Sequence, residues 1–251
     1  MTWGGSYQGM AMMSVSILHL QPTALPPTDI SLSVSSIPEN SPINTTIGTF
    51  TTTDPNPGNT FTYTLVSGYG DSGNSSFNIS GNTLHSLVVF NYEAVQSYSI
   101  RVRSTDNTNQ YFEKVFTITI TNVNEAPTNI SLSASTIPEN SPVNTTIGTF
   151  STTDPDSGGS FTYNLVSGTG DSGNGSFNIS GTTLRNSAVF DYETQSSYSI
   201  RVRVTDQGGL TYEKSFTITV TNVNEAPTNI SLSVSTIPEN SPKNTTIGTF
   251  S

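Results

Sequence analysis

Tyr98-Ser99-Ile100-Arg101-Val102-Arg103 returns one hundred residues later as Tyr198-Ser199-Ile200-Arg201-Val202-Arg203. The strict alternation of apolar and polar residues is the signature of a strand with one face buried and one face wet. The exact return sets the period of the chain. Phe116-Thr117-Ile118-Thr119-Ile120-Thr121 carries the same alternation, with threonine on the open side, and Ile30-Ser31-Leu32-Ser33-Val34 does so near the start of the unit. Between such runs lie clusters of Asp, Pro, Asn and Gly, such as Asp54-Pro55-Asn56-Pro57-Gly58-Asn59, whose residues favour turns. No helical period is present. About seven strands are expected per unit, near 29–36, 45–53, 60–66, 76–80, 83–90, 97–105 and 111–122, which fits an all-β fold of tandem antiparallel Greek-key sandwiches. Ile100, Val102, Phe116, Ile118 and Ile120 are the expected core.

Residues 27–126 and 127–226 agree at 70 of 100 positions, and 227–251 repeats the first quarter of the unit. A repeat of that length buries its own core, so each is expected to be a domain rather than one layer of a solenoid. The expected organisation is a leader at 1–26, repeats at 27–126 and 127–226, and the opening of a third at 227–251, in a piece of a longer array. The leader lacks the basic residues of a signal peptide, and its apolar stretch Met10 to Leu20 is too short and mixed to span a bilayer. Trp3 and His19, within it, receive no role.

Eight basic residues against 18 acidic ones, with a pI near 4.4, argue against nucleic acid or an anionic membrane as partner and point to cations. The absence of cysteine removes disulfides and thiolate metal sites. No nucleophile, base and acid recur together, and His85 is replaced by Arg185 in the second repeat, so an enzyme is not expected. Arg101, Arg103 and their counterparts read as outward-facing surface charge. Asn44, Asn74, Asn78, Asn129, Asn144, Asn174 and Asn178 head Asn-x-Ser/Thr triplets, which are acceptors only in a glycosylating secretory route.

Of the 18 acidic residues, 13 fall in short patterns that recur with the period, leaving out Asp29, Asp71, Asp171, Glu113 and Glu213. The patterns are Pro-Glu-Asn, Thr-Asp-Pro-Asn/Asp, Asn/Asp-Tyr-Glu, Thr-Asp, and Asn-Val-Asn-Glu-Ala-Pro. In order and spacing they resemble the calcium-binding motifs of the cadherin repeat, over all of residues 27–251. The near-identical units without cysteine are similar to those of large bacterial surface proteins. Carried over, the resemblance implies a Ca2+ junction formed by Glu39, Asn91 and Glu93 of the first repeat, Asn122, Asn124 and Glu125 of the linker, and Asp154, Asp156 and Asp206 of the second. It implies incomplete junctions at Asp54, Asn56 and Asp106, and at Glu139, Asp191, Glu193, Asn222, Asn224 and Glu225. Calcium takes roughly six to eight oxygen ligands, and Asp, Glu and Asn offer oxygen to such a hard ion.

The family pattern is not kept everywhere. Asn122 stands for a linker Asp, Glu125 for a shorter Asp and Ala126 for an Asn, while Asn91 and Asn56 oppose Asp191 and Asp156. The resemblance implies an extracellular adhesion module or stalk, stiffened by Ca2+ at its junctions. Its partners would be other repeats of the array and a homophilic or heterophilic cell-surface partner, with membrane anchoring through another part of the protein. The alternative is a calcium-independent spacer of Ig-like or dystroglycan-like type.

Overall fold

In a computed structural model of the chain, residues 1–5 and 24–251 are described. Most of the expected leader, His19 included, lies outside the described residues, and Trp3 is fully exposed. The described chain divides into two compact units, Met1–Val123 and Asn124–Ser251.

Unit 1 contains β1 (Asp29–Leu32), β2 (Ser36–Pro38), β3 (Thr46–Thr53), β4 (Phe61–Leu65), β5 (Phe77–Ser80), β6 (Thr83–Ser86), β7 (Ser97–Asp106) and β8 (Tyr111–Thr121). They form two four-stranded sheets, β1-β3-β6-β5 and β2-β8-β7-β4. Alternation along β7 and β8 aims Ile100, Val102, Ile118 and Ile120 inward, and all four are completely buried. Between the sheets, Phe77 stacks on Phe90 at 5.3 Å, and Tyr98 lies edge-on to Phe77 at 5.9 Å and tilted against Phe90 at 5.0 Å. Each such buried side chain contributes about 1.5–3 kcal/mol through surface removed from water.

The expected first strand over 29–36 is in fact two. β1 pairs antiparallel with β3, and β2 pairs parallel with β8, so the chain crosses from one sheet to the other near Val34. Gly48 makes the crossing possible, since a Cβ there would lie 2.5 Å from the Val34 carbonyl oxygen and 2.9 Å from its nitrogen. The β3–β6 register shifts between Thr46 and Gly48, the bulge expected at a glycine beneath a close backbone approach. The strand expected over 83–90 ends at Ser86, although Phe90 beyond it is buried.

Unit 2 repeats this plan with β9 (Asn129–Leu132), β10 (Thr136–Pro138), β11 (Thr146–Thr153), β12 (Thr162–Leu165), β13 (Phe177–Ser180), β14 (Thr183–Asn186), β15 (Ser197–Thr205) and β16 (Thr211–Thr221). Its sheets are β9-β11-β14-β13 and β10-β16-β15-β12. Residues 227–251 make an isolated bridge, Leu232 to Phe250, and Phe250 is 76 % exposed where Phe50 is 1 % and Phe150 4 % exposed. Among the described residues no helix is long and apolar enough to cross a membrane.

Candidate metal-binding poles

Glu39 leaves the end of β2 and is 2 % exposed. Its Oε2 accepts the Tyr92 amide at 2.7 Å and its Oε1 accepts the Val123 amide at 2.8 Å, so one carboxylate ties the Asn91-Tyr92-Glu93 turn to the strand that leaves the unit. Glu139 does the same in unit 2, with the amides of Tyr192 at 2.8 Å and Val223 at 2.7 Å. Asn40 and Asn140 adopt left-handed backbone at φ 57° and 58°, which Asn tolerates better than most residues. The Asn of the Pro-Glu-Asn motif thus serves the turn that presents the Glu.

The fullest acidic cluster inside one unit is Glu139, Asp191 and Glu193, which bring carboxylate oxygens within 4.8 Å of one another. Asp191 accepts the Thr194 hydroxyl at 2.8 Å and its amide at 3.1 Å, and those two bonds, the hydroxyl first, hold its carboxyl below the usual Asp range. Asn222 donates to Glu193 Oε1 at 2.7 Å, and Asn140 to Glu225 Oε1 at 2.6 Å, so both linker positions reach this pole. Asn224 is exposed. In unit 1 the corresponding turn carries Asn91, whose Oδ1 accepts the Ala94 amide at 2.7 Å, beside the exposed Glu93 and Asn122.

The opposite pole of each unit holds the Thr-Asp-Pro and Thr-Asp residues. Asp54 Oδ1 accepts the Asn56 amide at 2.7 Å, and Asp154 Oδ1 accepts the Asp156 amide at 2.9 Å. In both residues the second oxygen, Oδ2, is buried and has no hydrogen-bond partner. A buried anionic oxygen left unmatched is costly, and it recurs at the same place in both units. Asp206 Oδ2 accepts Asn124 Nδ2 at 2.9 Å, Asp206 Oδ1 accepts the Leu210 amide at 2.8 Å, and Asp156 Oδ2 accepts the Glu125 amide at 2.7 Å. Burial pushes the Asp206 carboxyl up, but the bonds from Asn124 and the backbone amides of Leu210, Gly208 and Gly209 bring it below the usual range. Asp106 behaves likewise: burial raises it, and the Thr108 hydroxyl with the Gln110 and Thr108 amides more than reverses this.

Of the expected junction residues, Glu39, Asn91, Glu93 and Asn122 belong to unit 1, and Asn124, Glu125, Asp154, Asp156 and Asp206 to unit 2. Within unit 2 the acidic residues of the Thr-Asp-Pro pole offer oxygen alone, and the buried Oδ2 of Asp154 has no hydrogen-bond partner, a donor chemistry that suits a hard divalent cation. The sequence reading missed the Tyr92 and Val123 amides on Glu39, since backbone donors leave no mark in sequence.

Arg101 and Arg103 are more than exposed charge. Both guanidinium groups grip Glu113, Arg101 on Oε2 and Arg103 on Oε1, at 2.5 to 2.9 Å, and hold its carboxyl below the usual Glu range. Arg201, Arg203 and Glu213 repeat the clamp. The pairing of Arg103 with Glu113 across β7 and β8 was readable from register once the hairpin was known.

The cadherin domain model matches residues 33–121 and 133–221. Among curated relatives, human Cadherin-related family member 2 is 30 % identical over 141 residues, covering 53 % of this chain and 11 % of the relative. Human Protocadherin Fat 4 is 31 % identical over 170 residues, covering 63 % of this chain and 3 % of the relative. The chain therefore spans a small fraction of the length of either. Among solved structures, the Protocadherin GammaB4 extracellular domain aligns with a TM-score of 0.63 and 25 % identity, over 90 % of this chain and 37 % of that one. Human Protocadherin-24 EC1-2 shares the fold at a TM-score of 0.62 and 15 % identity, over 80 % of this chain and all of that one. Two tandem matches cover most of the sequence, on two sandwiches whose acidic motifs converge at their poles, and the chain belongs to the cadherin domain family.

Proposed function

We propose that the chain is a section of an extracellular adhesion module or stalk in which Ca2+ stiffens the junction between successive repeats, 27–126 and 127–226, with 227–251 opening a third. The observation that carries this reading is the buried, unpartnered Oδ2 of Asp54 and of Asp154. An anionic oxygen so placed is matched by a cation or remains a liability, and the buried carboxylates of Asp156 and Asp206 in the same unit favour a cation of charge two. Glu39, Asn91, Glu93, Asn122, Asn124, Glu125, Asp154, Asp156 and Asp206 would supply its oxygen ligands. Glu139, Asp191, Glu193, Asn222, Asn224 and Glu225 would hold the same ion against a following repeat.

The chemistry the ion supplies is charge balance. Six carboxylates in the junction set repel one another without it, and binding energy becomes ordering energy of the linker around Asn122 to Pro127. The protein is a binding and structural module rather than an enzyme. Membership in the cadherin domain family supports an extracellular, cell-surface setting and a homophilic or heterophilic surface partner. Isothermal calorimetry with calcium, and magnesium as control, tests the reading: saturable calcium heat that Asp154→Asn weakens supports it, and no heat beyond magnesium refutes it.

The calcium-independent spacer draws on Asn56 and Asn91, which lower the charge contributed by unit 1. It predicts no calcium heat and no change of stiffness.

A further inference from the structure

The corresponding Asp residues of the two units, Asp106 and Asp206, are satisfied in opposite ways. In unit 2 the Oδ2 of Asp206 is met by Asn124, from the segment that enters the unit, and that side chain lies directly on Gly208. A Cβ at Gly208 would sit 2.4 Å from Asn124 Nδ2 and 2.5 Å from its Cγ, so a larger residue there would push the incoming amide aside. In unit 1 the place of Gly208 is held by Thr108, whose hydroxyl donates to Asp106 Oδ1 at 2.8 Å. The other oxygen, Oδ2, accepts Asn59 Nδ2 at 3.3 Å from the unit's own β3–β4 loop. The counterpart of Asn59 in unit 2 is Gly159, and the counterpart of Asn124 in unit 1 is Ala24. Three positions have therefore changed together. Unit 1 supplies from within what unit 2 takes from its entering segment.

The backbone of that segment docks alike in both units. Leu25 donates its amide to Asn56 Oδ1 at 2.8 Å, as Glu125 does to Asp156 Oδ2 at 2.7 Å. Only the side-chain anchor differs.

We propose that the residue pairs Asn59/Thr108 and Gly159/Gly208 are a gate that decides whether a repeat anchors the linker entering it. With glycine at both places, the pole leaves room for a linker Asn placed three residues before the Pro, as Asn124 stands to Pro127, and Gln207 Nε2 donates to its Oδ1 at 3.4 Å. With Asn and Thr, the pole caps itself and refuses that side chain. The partner recognised is a carboxamide of the entering segment, and whether a repeat holds that segment is written in two of its own positions. The gate goes beyond the calcium reading and works without the ion.

Hydrogen exchange on the full chain in EDTA tests this. Asn124→Ala, and separately the double variant Gly159→Asn with Gly208→Thr, should each speed exchange of the Glu125 amide about tenfold or more, as loss of a hydrogen bond to a charged group implies. The amides of Ile200 and Val202 should hold their protection. The reciprocal Ala24→Asn with Asn59→Gly and Thr108→Gly should slow exchange at Leu25. Unchanged Glu125 exchange in Asn124→Ala refutes the anchor, and a change there without one in the double variant refutes the gate. Failure of the calcium reading would instead appear as absent calorimetric heat, with these exchange effects intact.

Discussion

Replacing Glu39 by Ala separates the structural work of that carboxylate from any role in metal binding. Its two oxygens accept the Tyr92 and Val123 amides at 2.7 and 2.8 Å, and Glu39 is 2 % exposed. Hydrogen bonds to a charged group are worth about 1.5–3 kcal/mol each. Val123 is 41 % exposed, so water recovers part of the loss, and a total near 2–3 kcal/mol is expected for unit 1. In a domain of this size 1 kcal/mol moves the midpoint by roughly 4–8 °C, giving a fall of about 10–20 °C. Differential scanning calorimetry in EDTA should show the unit 1 transition lowered by that amount while the unit 2 transition stays in place. Glu39→Gln, which keeps one good acceptor, should lose about half as much. A Glu39→Ala midpoint within about 2 °C of the parent in EDTA would show that the carboxylate does not hold the pole together, and the geometry assigned to it would be wrong.

Asp154→Asn should reverse sign with calcium: in EDTA it removes an unmatched buried charge and raises the melting temperature of unit 2, while in saturating calcium it falls below the parent, and a fall in both conditions would contradict the assignment. Phe50→Ala should cost about 3–5 kcal/mol in urea denaturation, whereas Phe250→Ala, at the equivalent but exposed position, should change stability by less than about 0.5 kcal/mol. The Arg101–Glu113–Arg103 clamp lowers the folded carboxyl below its ordinary 4.5, so its contribution is complete above that pH and is lost as pH falls through the folded value. The stability gap between the parent and Glu113→Gln should accordingly be constant from pH 7 to 5 and close below 4.5, and a gap that widens on acidification would reverse the sign of the coupling.

Much of the fold was legible because each strand of the longest hairpin alternates cleanly. Ile100, Val102, Ile118 and Ile120 were expected in the core and are fully buried. The split of the first strand was not legible. Ile30 to Val34 alternates straight through the crossover, and only the three-dimensional closeness of Gly48 to Val34 shows why the chain changes sheets there. The poles divide in the same way. Glu39, Asp154 and Asp206 were picked out by motif, while the amides that hold Glu39 and the exchange of Asn59 and Thr108 for glycines carry meaning only once their side chains are seen around one carboxylate. Arg101 and Arg103 looked like solubility because the strand pattern places them outward, and the partner that binds both, Glu113, lies on the neighbouring strand.

The most direct test of the central claim is a calcium titration of residues 27–226 by calorimetry, with magnesium as control and small-angle scattering on the metal-free and saturated forms. Saturable calcium heat accompanied by a longer, stiffer particle is the predicted result. Heat no greater than that of magnesium, with an unchanged scattering profile, would contradict it and leave a passive spacer.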